Sequence, residues 1–247
     1  MSSANPLILK WAKYFTPLKT VFLYYNIYVR NAKFFLNHSQ WGEDKKIIKL
    51  FDKNKKGTYV DIGCFHPVRQ NNTYKLHKLG WSGINIDLNP LSIDLFNVAR
   101  PNDINICAAI SNRAGTKNLF FDHKLSSLNT ISKNHTLFIK KAFGIKNLKR
   151  KKIKTTTLDN LLNKNNIKKV DFMNIDIEGH EFDVLKKINF RNFDIKVICV
   201  EIVDYENYSK KIKINKKKIF KLLKKKNYSL KFKTYINYIF VKHGYKI

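Results

Sequence analysis

Residues 170–185 (VDFMNIDIEGHEFDVL) combine an apolar run with ionisable side chains that could do chemistry. Asp176, Glu178 and His180 follow the apolar residues, which are typical of a buried strand. In open α/β sheets, ligands bind just beyond the carboxyl ends of the strands. A carboxylate or an imidazole there could act as a general base. The same acids could instead cap the helix that follows, because a helix N-terminus favours negative charge. Both interpretations stay open on spacing alone.

Two acids that end neighbouring strand candidates could also hold a metal ion. Asp176 ends the strand candidate within residues 170–185, and Glu201 ends the apolar segment VICVE at residues 197–201. Such a pair could bind a divalent cation that acidifies an alcohol. We favour a side-chain base over this cation, so we predict no metal site and keep Asp176 and Glu201 as the less favoured alternative. His66 is a further candidate base.

A second candidate site lies earlier in the chain. Asp61 and Gly63 end the strand candidate YVDIG, and Asp87 ends the strand candidate GINID. An acid at the end of the second strand can accept hydrogen bonds from ribose hydroxyls, and a glycine lets a ligand approach the backbone. The turn lacks the GxGxxG pattern that brings a helix N-terminus onto a pyrophosphate. A nucleoside without a pyrophosphate, in particular S-adenosylmethionine (SAM), therefore fits better than NAD or FAD.

The elements that must position these residues alternate along the chain. Strand candidates at 58–62, 83–87 and 104–110 are separated by helix candidates at a spacing fit for crossovers, which predicts a parallel, doubly wound α/β sheet. Residues 115–154 interrupt the alternation as a polar, basic insertion, and residues 229–242 predict a closing antiparallel hairpin. We expect residues 39–247 to form this domain and residues 1–38, which are aromatic and basic, to form a helical appendage.

The charge is large but uneven. The chain of 247 residues has 48 basic and 18 acidic residues and a formal charge of +30, which is compatible with a nucleic-acid or membrane partner. However, residues 57–122 hold six basic against five acidic residues, whereas residues 208–233 hold twelve lysines and no acid. We therefore favour solvated lysine faces over a nucleic-acid surface. For residues 1–38 we favour packing on the main domain over contact with a membrane surface.

The spacing of the cysteines and the hydropathy of the chain predict in which cellular compartment the protein lies. The three cysteines are widely spaced with no CxxC pair, which is typical of reduced thiols in a cytosolic protein. The chain has no apolar stretch of 18 residues that could span a bilayer. We expect a cytoplasmic protein, with attachment to the inner face of the membrane through residues 1–38 as the alternative.

Six segments occur in the order of a known family. They are SQWGED (39–44), YVDIGCFHP (59–67), NTYKLHKLGWSGINIDLNP (72–90), TTLDNLL (156–162), VDFMNIDIEGHEFDVL (170–185) and VICVE (197–201). With them the chain resembles the FkbM-type methyltransferases, which belong to the SAM-dependent class I superfamily with its Rossmann-like fold. One departure is Asn174, where the family often carries a lysine.

The resemblance implies SAM as the cofactor and assigns roles to individual residues. It places Asp61 and Gly63 at the methionine end of SAM and Asp87 at the ribose. The remaining cofactor contacts that it implies are small residues near the adenine and a pair that closes over the cofactor: Ala108, Ala109, Gln40 and Glu43. Each has a structural alternative, such as a turn cap or tight core packing.

The resemblance also implies a reaction. It indicates methyl transfer to a hydroxyl of a sugar, a polysaccharide or another small natural product, with Asp176, Glu178 and His180 as candidate bases. The alternatives are a nucleic-acid (RNA) methyltransferase and a non-catalytic basic binding protein on the same fold. The sequence carries no signal for the acceptor or for the oligomeric state.

Overall fold

A computed structural model describes residues 16–36, 38–52, 54–123, 126–145, 147–203 and 210–245, with the side chains of 17–36 and 216–245 at the two ends. The first half contains helix α1 (Thr16–Tyr24), which continues as a π-helical turn (Tyr25–Val29) and a 3-10 turn (Ala32–Phe35), then α2 (Glu43–Ile48), β1 (Thr58–Ile62), α3 (Tyr74–Lys78), β2 (Ser82–Asp87), α4 (Pro90–Ala99), β3 (Ile104–Cys107), β4 (Ala109–Ile110) and β5 (Gly115–Phe121).

The second half carries the rest of the sheet and the helices that cover it. Its elements are α5 (Lys133–Phe143), β6 (Lys149–Thr156), α6 (Leu158–Lys164), β7 (Lys169–Ile175), α7 (Glu181–Leu185), β8 (Asp194–Glu201), α8 (Lys210–Lys225), β9 (Tyr228–Lys233) and β10 (Asn237–Lys242).

Within these described residues, seven strands form the main sheet in the order β3-β2-β1-β7-β8-β10-β9. The first five strands are parallel, and β10 is antiparallel to both of its neighbours. This confirms the predicted Rossmann-like α/β fold with a mostly parallel, doubly wound sheet and a C-terminal antiparallel hairpin. The carboxyl ends of β1, β2, β7 and β8 meet at one edge, as the sequence argument required.

Apolar packing on both faces holds the central strands. On one face Val60, Met173 and Ile198 pack with α6, α7 and α8, and on the other face Tyr59 and Phe172 pack with α2. Strands buried on both faces read as continuous apolar runs rather than as alternating ones. This explains why the central strands were visible in the sequence.

The insertion folds as a small sheet beside the large one. Strands β4, β6 and β5 pair in that order, with β5 antiparallel to β6, and α5 lies between β5 and β6 in the chain. The single strand predicted at residues 104–110 is therefore wrong. It ends at Cys107, and Ala109 begins a strand of the second sheet, because the chain leaves β2 to pair with β6.

The N-terminal helix packs on the domain. Phe22, Leu23 and Ile27 form a small core with residues of the β1–α3 loop and of α4, such as Val68 and Leu95. This agrees with the packing interpretation of residues 1–38, as far as they are described. The division at residue 38 and the membrane alternative stay predictions. No helix in the described ranges is long and apolar enough to cross a membrane.

Candidate active site

A cavity of about 1820 Å³ opens at the carboxyl edge of the main sheet. Its walls are the residues that follow β1, β2, β7 and β8, together with parts of the insertion, the N-terminal helical segment and the β9–β10 turn. This is the position at which parallel sheets bind ligands. Both candidate sites from the sequence therefore belong to one cavity.

Asp61 lies at the floor of this cavity and is completely buried. Its carboxylate accepts hydrogen bonds from Thr73 Oγ1 at 2.8 Å, Asn71 Nδ2 at 3.0 Å and Asn174 Nδ2 at 2.9 Å. Burial raises the pKa of Asp61, and these three donors oppose that shift. The carboxylate is thus held in one orientation by side chains from two elements.

Asn174, the residue that departs from the pattern of the family that the chain resembles, contacts Asp61. The amide of Asn174, at which the family often has lysine, donates to Asp61 and accepts a hydrogen bond from Asn72 Nδ2 at 3.1 Å. A neutral amide therefore takes the place beside Asp61 that a cation would hold. Asn174 thus bridges β7, β1 and the loop before α3, and it also lines the cavity.

A buried cation that the sequence did not reveal supports the same loop. Arg100 follows α4 and is fully buried. Its guanidinium donates to Thr73 Oγ1 at 2.9 Å, to Asn71 Oδ1 at 2.8 Å and to the carbonyl of Pro67 at 2.6 Å. Thr73 and Asn71 are the residues that hold Asp61. No pattern in the sequence distinguishes this arginine from an exposed one after a helix.

Gly63 is required by packing between two strand ends. Its φ is +79°, and a Cβ at this position would lie 1.6 Å from the carbonyl oxygen of Asp176. Its N–H donates to the carbonyl of Ile86 at 2.8 Å. Gly63 lines the cavity, as predicted, but the close approach that excludes a side chain is made by the backbone after β7.

Asp87 faces the cavity from the end of β2. Its Oδ2 accepts from the N–H of Phe65 at 2.9 Å, and its Oδ1 accepts from the N–H of Asn89 at 2.7 Å. The helix cap is Asn89, whose side chain accepts from the N–H of Leu91, so Asp87 is not needed for that purpose. Burial raises the pKa of Asp87 to about 6. Each oxygen keeps a second lone pair that a hydroxyl could use.

The other predicted cofactor residues divide into two groups. Ala108, Ala109 and Gln40 line the cavity. Glu43 does not line it, because its carboxylate is fully buried and accepts from Thr234 Oγ1 at 2.6 Å, Asn237 Nδ2 at 3.1 Å and the N–H of Trp41 at 2.9 Å. Glu43 ties the start of α2 to the hairpin, and its closure over the cofactor stays a prediction.

Three acids gather where β7 and β8 end. Carboxylate oxygens of Asp176, Glu178 and Glu201 all lie within 4.8 Å of one another, and all three residues line the cavity. Burial raises the pKa values of Asp176 and Glu201 well above their usual range, and the neighbouring carboxylates raise them further. We call these three residues the acid cluster.

The insertion holds Glu178 in place, which the sequence did not indicate. Glu178 has a φ of +55°, an unusual conformation for a residue with a side chain. Thr130 Oγ1 donates to its carbonyl at 2.7 Å, and His135 Nε2 lies 2.8 Å from its Oε2. Glu181 supports the same turn, because its Oε1 accepts from the N–H of Gly179 at 2.9 Å.

Two histidines that were candidate bases are engaged elsewhere. His180 is buried outside the lining of the cavity, with Nδ1 3.1 Å from Asp183 Oδ2 and Nε2 3.2 Å from Ser111 Oγ. His66 lines the cavity, but its Nδ1 accepts from the N–H groups of Val68 and Arg69. Burial lowers the pKa of His66 to about 3. Of the three residues predicted as catalytic, Asp176 and Glu178 therefore line the cavity beside Glu201, and His180 does not.

Comparison with known proteins agrees with this geometry. Neither the curated proteins nor the solved structures give a significant match to the chain. A family model described as the methyltransferase FkbM domain matches residues 61–230, which is more than half of the chain. The matched region begins at Asp61 and includes the ends of β1, β2, β7 and β8 that line the cavity. The chain belongs to the FkbM-domain family and is a methyltransferase.

Proposed function

We propose that this methyltransferase uses SAM to methylate a hydroxyl group of a sugar, a polysaccharide or another small natural product. The observation that carries the proposal is that the Asp87 end and the acid cluster open into the same cavity. A cofactor and a base can thus face one acceptor between them. SAM is the usual methyl donor of the family to which the chain belongs.

The residues at the β1 and β2 end suit the adenosyl part of SAM. Asp87 offers carboxylate lone pairs to ribose hydroxyls and is already oriented by two backbone N–H groups. Ala108 and Ala109 leave room for a flat base because their side chains are small. Bound SAM would supply a methyl group on a sulfonium sulfur, which needs no further activation.

The acid cluster suits the acceptor. A hydroxyl oxygen that takes the methyl group must give up its proton, and a carboxylate whose pKa is raised by burial is a stronger base than an exposed one. In the proposed reaction the proton passes to the Asp176–Glu201 pair and the oxygen forms the new bond to carbon. The electrons of the broken carbon–sulfur bond stay on sulfur, and S-adenosylhomocysteine leaves.

The mouth of the cavity offers a surface for a sugar ring. The rings of Trp41 and Tyr235 lie 5.1 Å apart, and both residues line the cavity while 37% and 73% of their surfaces remain exposed. Exposed aromatic faces of this size can cover the apolar face of a sugar. The acid cluster would repel the phosphates of a nucleic acid, so we favour the uncharged hydroxyl acceptor over RNA.

Calorimetric titration with SAM and S-adenosylhomocysteine tests the cofactor half of this proposal. We expect the wild-type protein to bind both and Asp87→Ala to bind about 10- to 100-fold more weakly, because hydrogen bonds to a charged group are lost. Since the pKa of Asp87 is about 6, the affinity of the wild type should fall as the pH drops below that value, where the protonated carboxyl loses accepting capacity. Asp87→Ala should show no such fall.

The matched control is Asp94→Ala. Asp94 lies on α4 and forms an ion pair with Lys19 of α1. This variant should bind SAM as the wild type does. A folded wild-type protein that binds neither ligand would refute the proposal. If both bind, a screen for methyl transfer should begin with glycans and then include RNA, whose methylation would refute the choice of acceptor.

A further inference from the structure

The acid cluster brings three carboxylates together at the edge of the cavity. Asp176, Glu178 and Glu201 belong to two strand ends and one turn, and their oxygens come within 4.8 Å of one another. Taking even one ionised carboxylate out of water is costly unless it is paired or bound to a metal. Asp176 and Glu201 share a hydrogen bond, and His135 Nε2 lies 2.8 Å from Glu178 Oε2.

A second observation comes from Glu201 itself. This residue is more than nine-tenths buried, and its Oε2 atom has no hydrogen-bond partner among the described residues. A buried oxygen without a partner is rare in proteins and indicates a water or an ion that the chain expects. Glu201 lines the cavity, so a ligand can reach it from there.

The surroundings of Glu178 resemble the outer support of a metal ligand. The imidazole of His135 contacts the carboxylate, and the hydroxyl of Thr130 fixes the backbone of the same residue. Metal-binding side chains are usually oriented by such second contacts. The left-handed backbone of Glu178 is therefore held so that its carboxylate stays with the other two.

We propose that Asp176, Glu178 and Glu201 bind one divalent cation of the Mg²⁺ or Mn²⁺ type. Carboxylate oxygens are the ligands that these hard cations prefer, and Mg²⁺ keeps several water molecules when it binds to a few carboxylates. The cavity side of the cluster leaves room for such waters. The acceptor role of the cation rests on the proposed function: one of these waters is replaced by the hydroxyl oxygen that is methylated, and the cation lowers the pKa of that hydroxyl. With the cation bound, Asp176 and Glu201 serve as its ligands, and the hydroxyl proton passes to a water in the cavity instead of to this pair.

Titration of Mn²⁺ into the metal-free, full-length protein, followed by calorimetry and by the electron paramagnetic resonance of free Mn²⁺, tests this site. We expect one Mn²⁺ per chain, displaced by Mg²⁺, and at least about a tenfold loss of affinity in Asp176→Asn and Glu201→Gln. Asp122→Asn is the matched control, because Asp122 lines the same cavity outside the acid cluster. It should keep the wild-type affinity for Mn²⁺.

Binding of S-adenosylhomocysteine shows which variants are folded. If both acid-cluster variants fail this check, His135→Gln decides the matter, because it removes only the outer contact and should still weaken Mn²⁺ binding. The proposal is overturned if the folded wild type binds no Mn²⁺, if folded acid-cluster variants or the deciding His135→Gln bind it unchanged, or if Asp122→Asn weakens it equally.

The two proposals fail in different ways. One Mn²⁺ at the acid cluster of a protein that methylates no hydroxyl would support the cation site and reject O-methylation. Methyl transfer that is unchanged in EDTA, by a protein that binds no Mn²⁺, would support O-methylation and reject the cation site.

Discussion

The carboxylates at the two ends of the cavity differ in how fully they are hydrogen-bonded. At the β1 and β2 end, each carboxylate oxygen of Asp61 and Asp87 accepts at least one hydrogen bond from the chain. At the β7 and β8 end, Glu201 lies beside two more carboxylates, and its Oε2 has no hydrogen-bond partner in the part of the chain that the structure describes. The carboxylates at the first end are hydrogen-bonded before any ligand binds, whereas the second end is left with an electrostatic cost that a ligand could remove.

The difference indicates that the β1 and β2 end contributes to the stability of the fold, whereas the acid cluster at the β7 and β8 end lowers it. A polar network that is fully satisfied makes a rigid, specific surface, and one that is partly satisfied costs stability. Variants at the two ends should therefore change the free energy of unfolding in opposite directions.

The largest effect is expected from Arg100→Leu. Removal of this guanidinium takes away the positive charge that opposes the raised pKa of the buried Asp61, and it removes one hydrogen bond each from Asn71 and Thr73. We expect the free energy of unfolding to fall by about 3–5 kcal/mol, measured by urea denaturation. Arg113→Leu, at an exposed position, is the control and should change it by less than about 0.5 kcal/mol. Equal effects of the two variants would show that the cofactor end does not depend on its network.

A smaller effect of opposite sign is expected from Glu201→Gln in EDTA. This change removes a charge from the acid cluster, and we expect the free energy of unfolding at pH 8 to rise by about 1–3 kcal/mol, the cost of an unsatisfied buried polar group.

The pH dependence of that gain has a definite sign. The pKa values of Asp176 and Glu201 are raised in the folded protein, so the folded state binds more protons than the unfolded state. Their contribution to stability is therefore present below the unfolded pKa and is lost as the pH rises through the folded pKa. The advantage of Glu201→Gln should shrink when thermal unfolding is measured at pH 4 instead of pH 8. A variant that is less stable than the wild type at both pH values would contradict the comparison.

The smallest effect is expected from His180→Gln. His180 lies outside the cavity lining, so the rate of methyl transfer under saturating substrate should change by less than about twofold. Loss of a general base typically costs at least about 100-fold. A loss of that size in His180→Gln, with Asp176→Asn near wild-type activity, would restore the histidine as the base.

The fold was predictable from the sequence because its signals are local. Buried strands such as Thr58–Ile62 and caps such as Asn89 are visible in a few adjacent residues. The strand predicted at 104–110 was wrong because pairing with a distant strand, β6, decides where the chain turns. Periodicity carries no information about that partner.

The site was predictable only where residues directly follow a strand. Asp61, Asp87 and Asp176 face the cavity for that reason. His180 is only a few residues further, yet a turn directs it toward Ser111. The contributions of Arg100 and His135 come from parts of the chain that meet the site only after folding, so no spacing in the sequence could identify them.

The contact of Gly63 with the backbone of Asp176 has a consequence for the timing of the reaction. An atom added at Gly63 would overlap the Asp176 carbonyl oxygen, and the N–H of Asp176 bonds to the carbonyl of Ile62 at 2.9 Å. The turn at Gly63, which would meet the cofactor, is thus packed tightly against the chain at Asp176, which carries the first residue of the acid cluster. We therefore expect a shift of one segment to displace the other, so that binding of the cofactor changes the position of the acid that faces the acceptor.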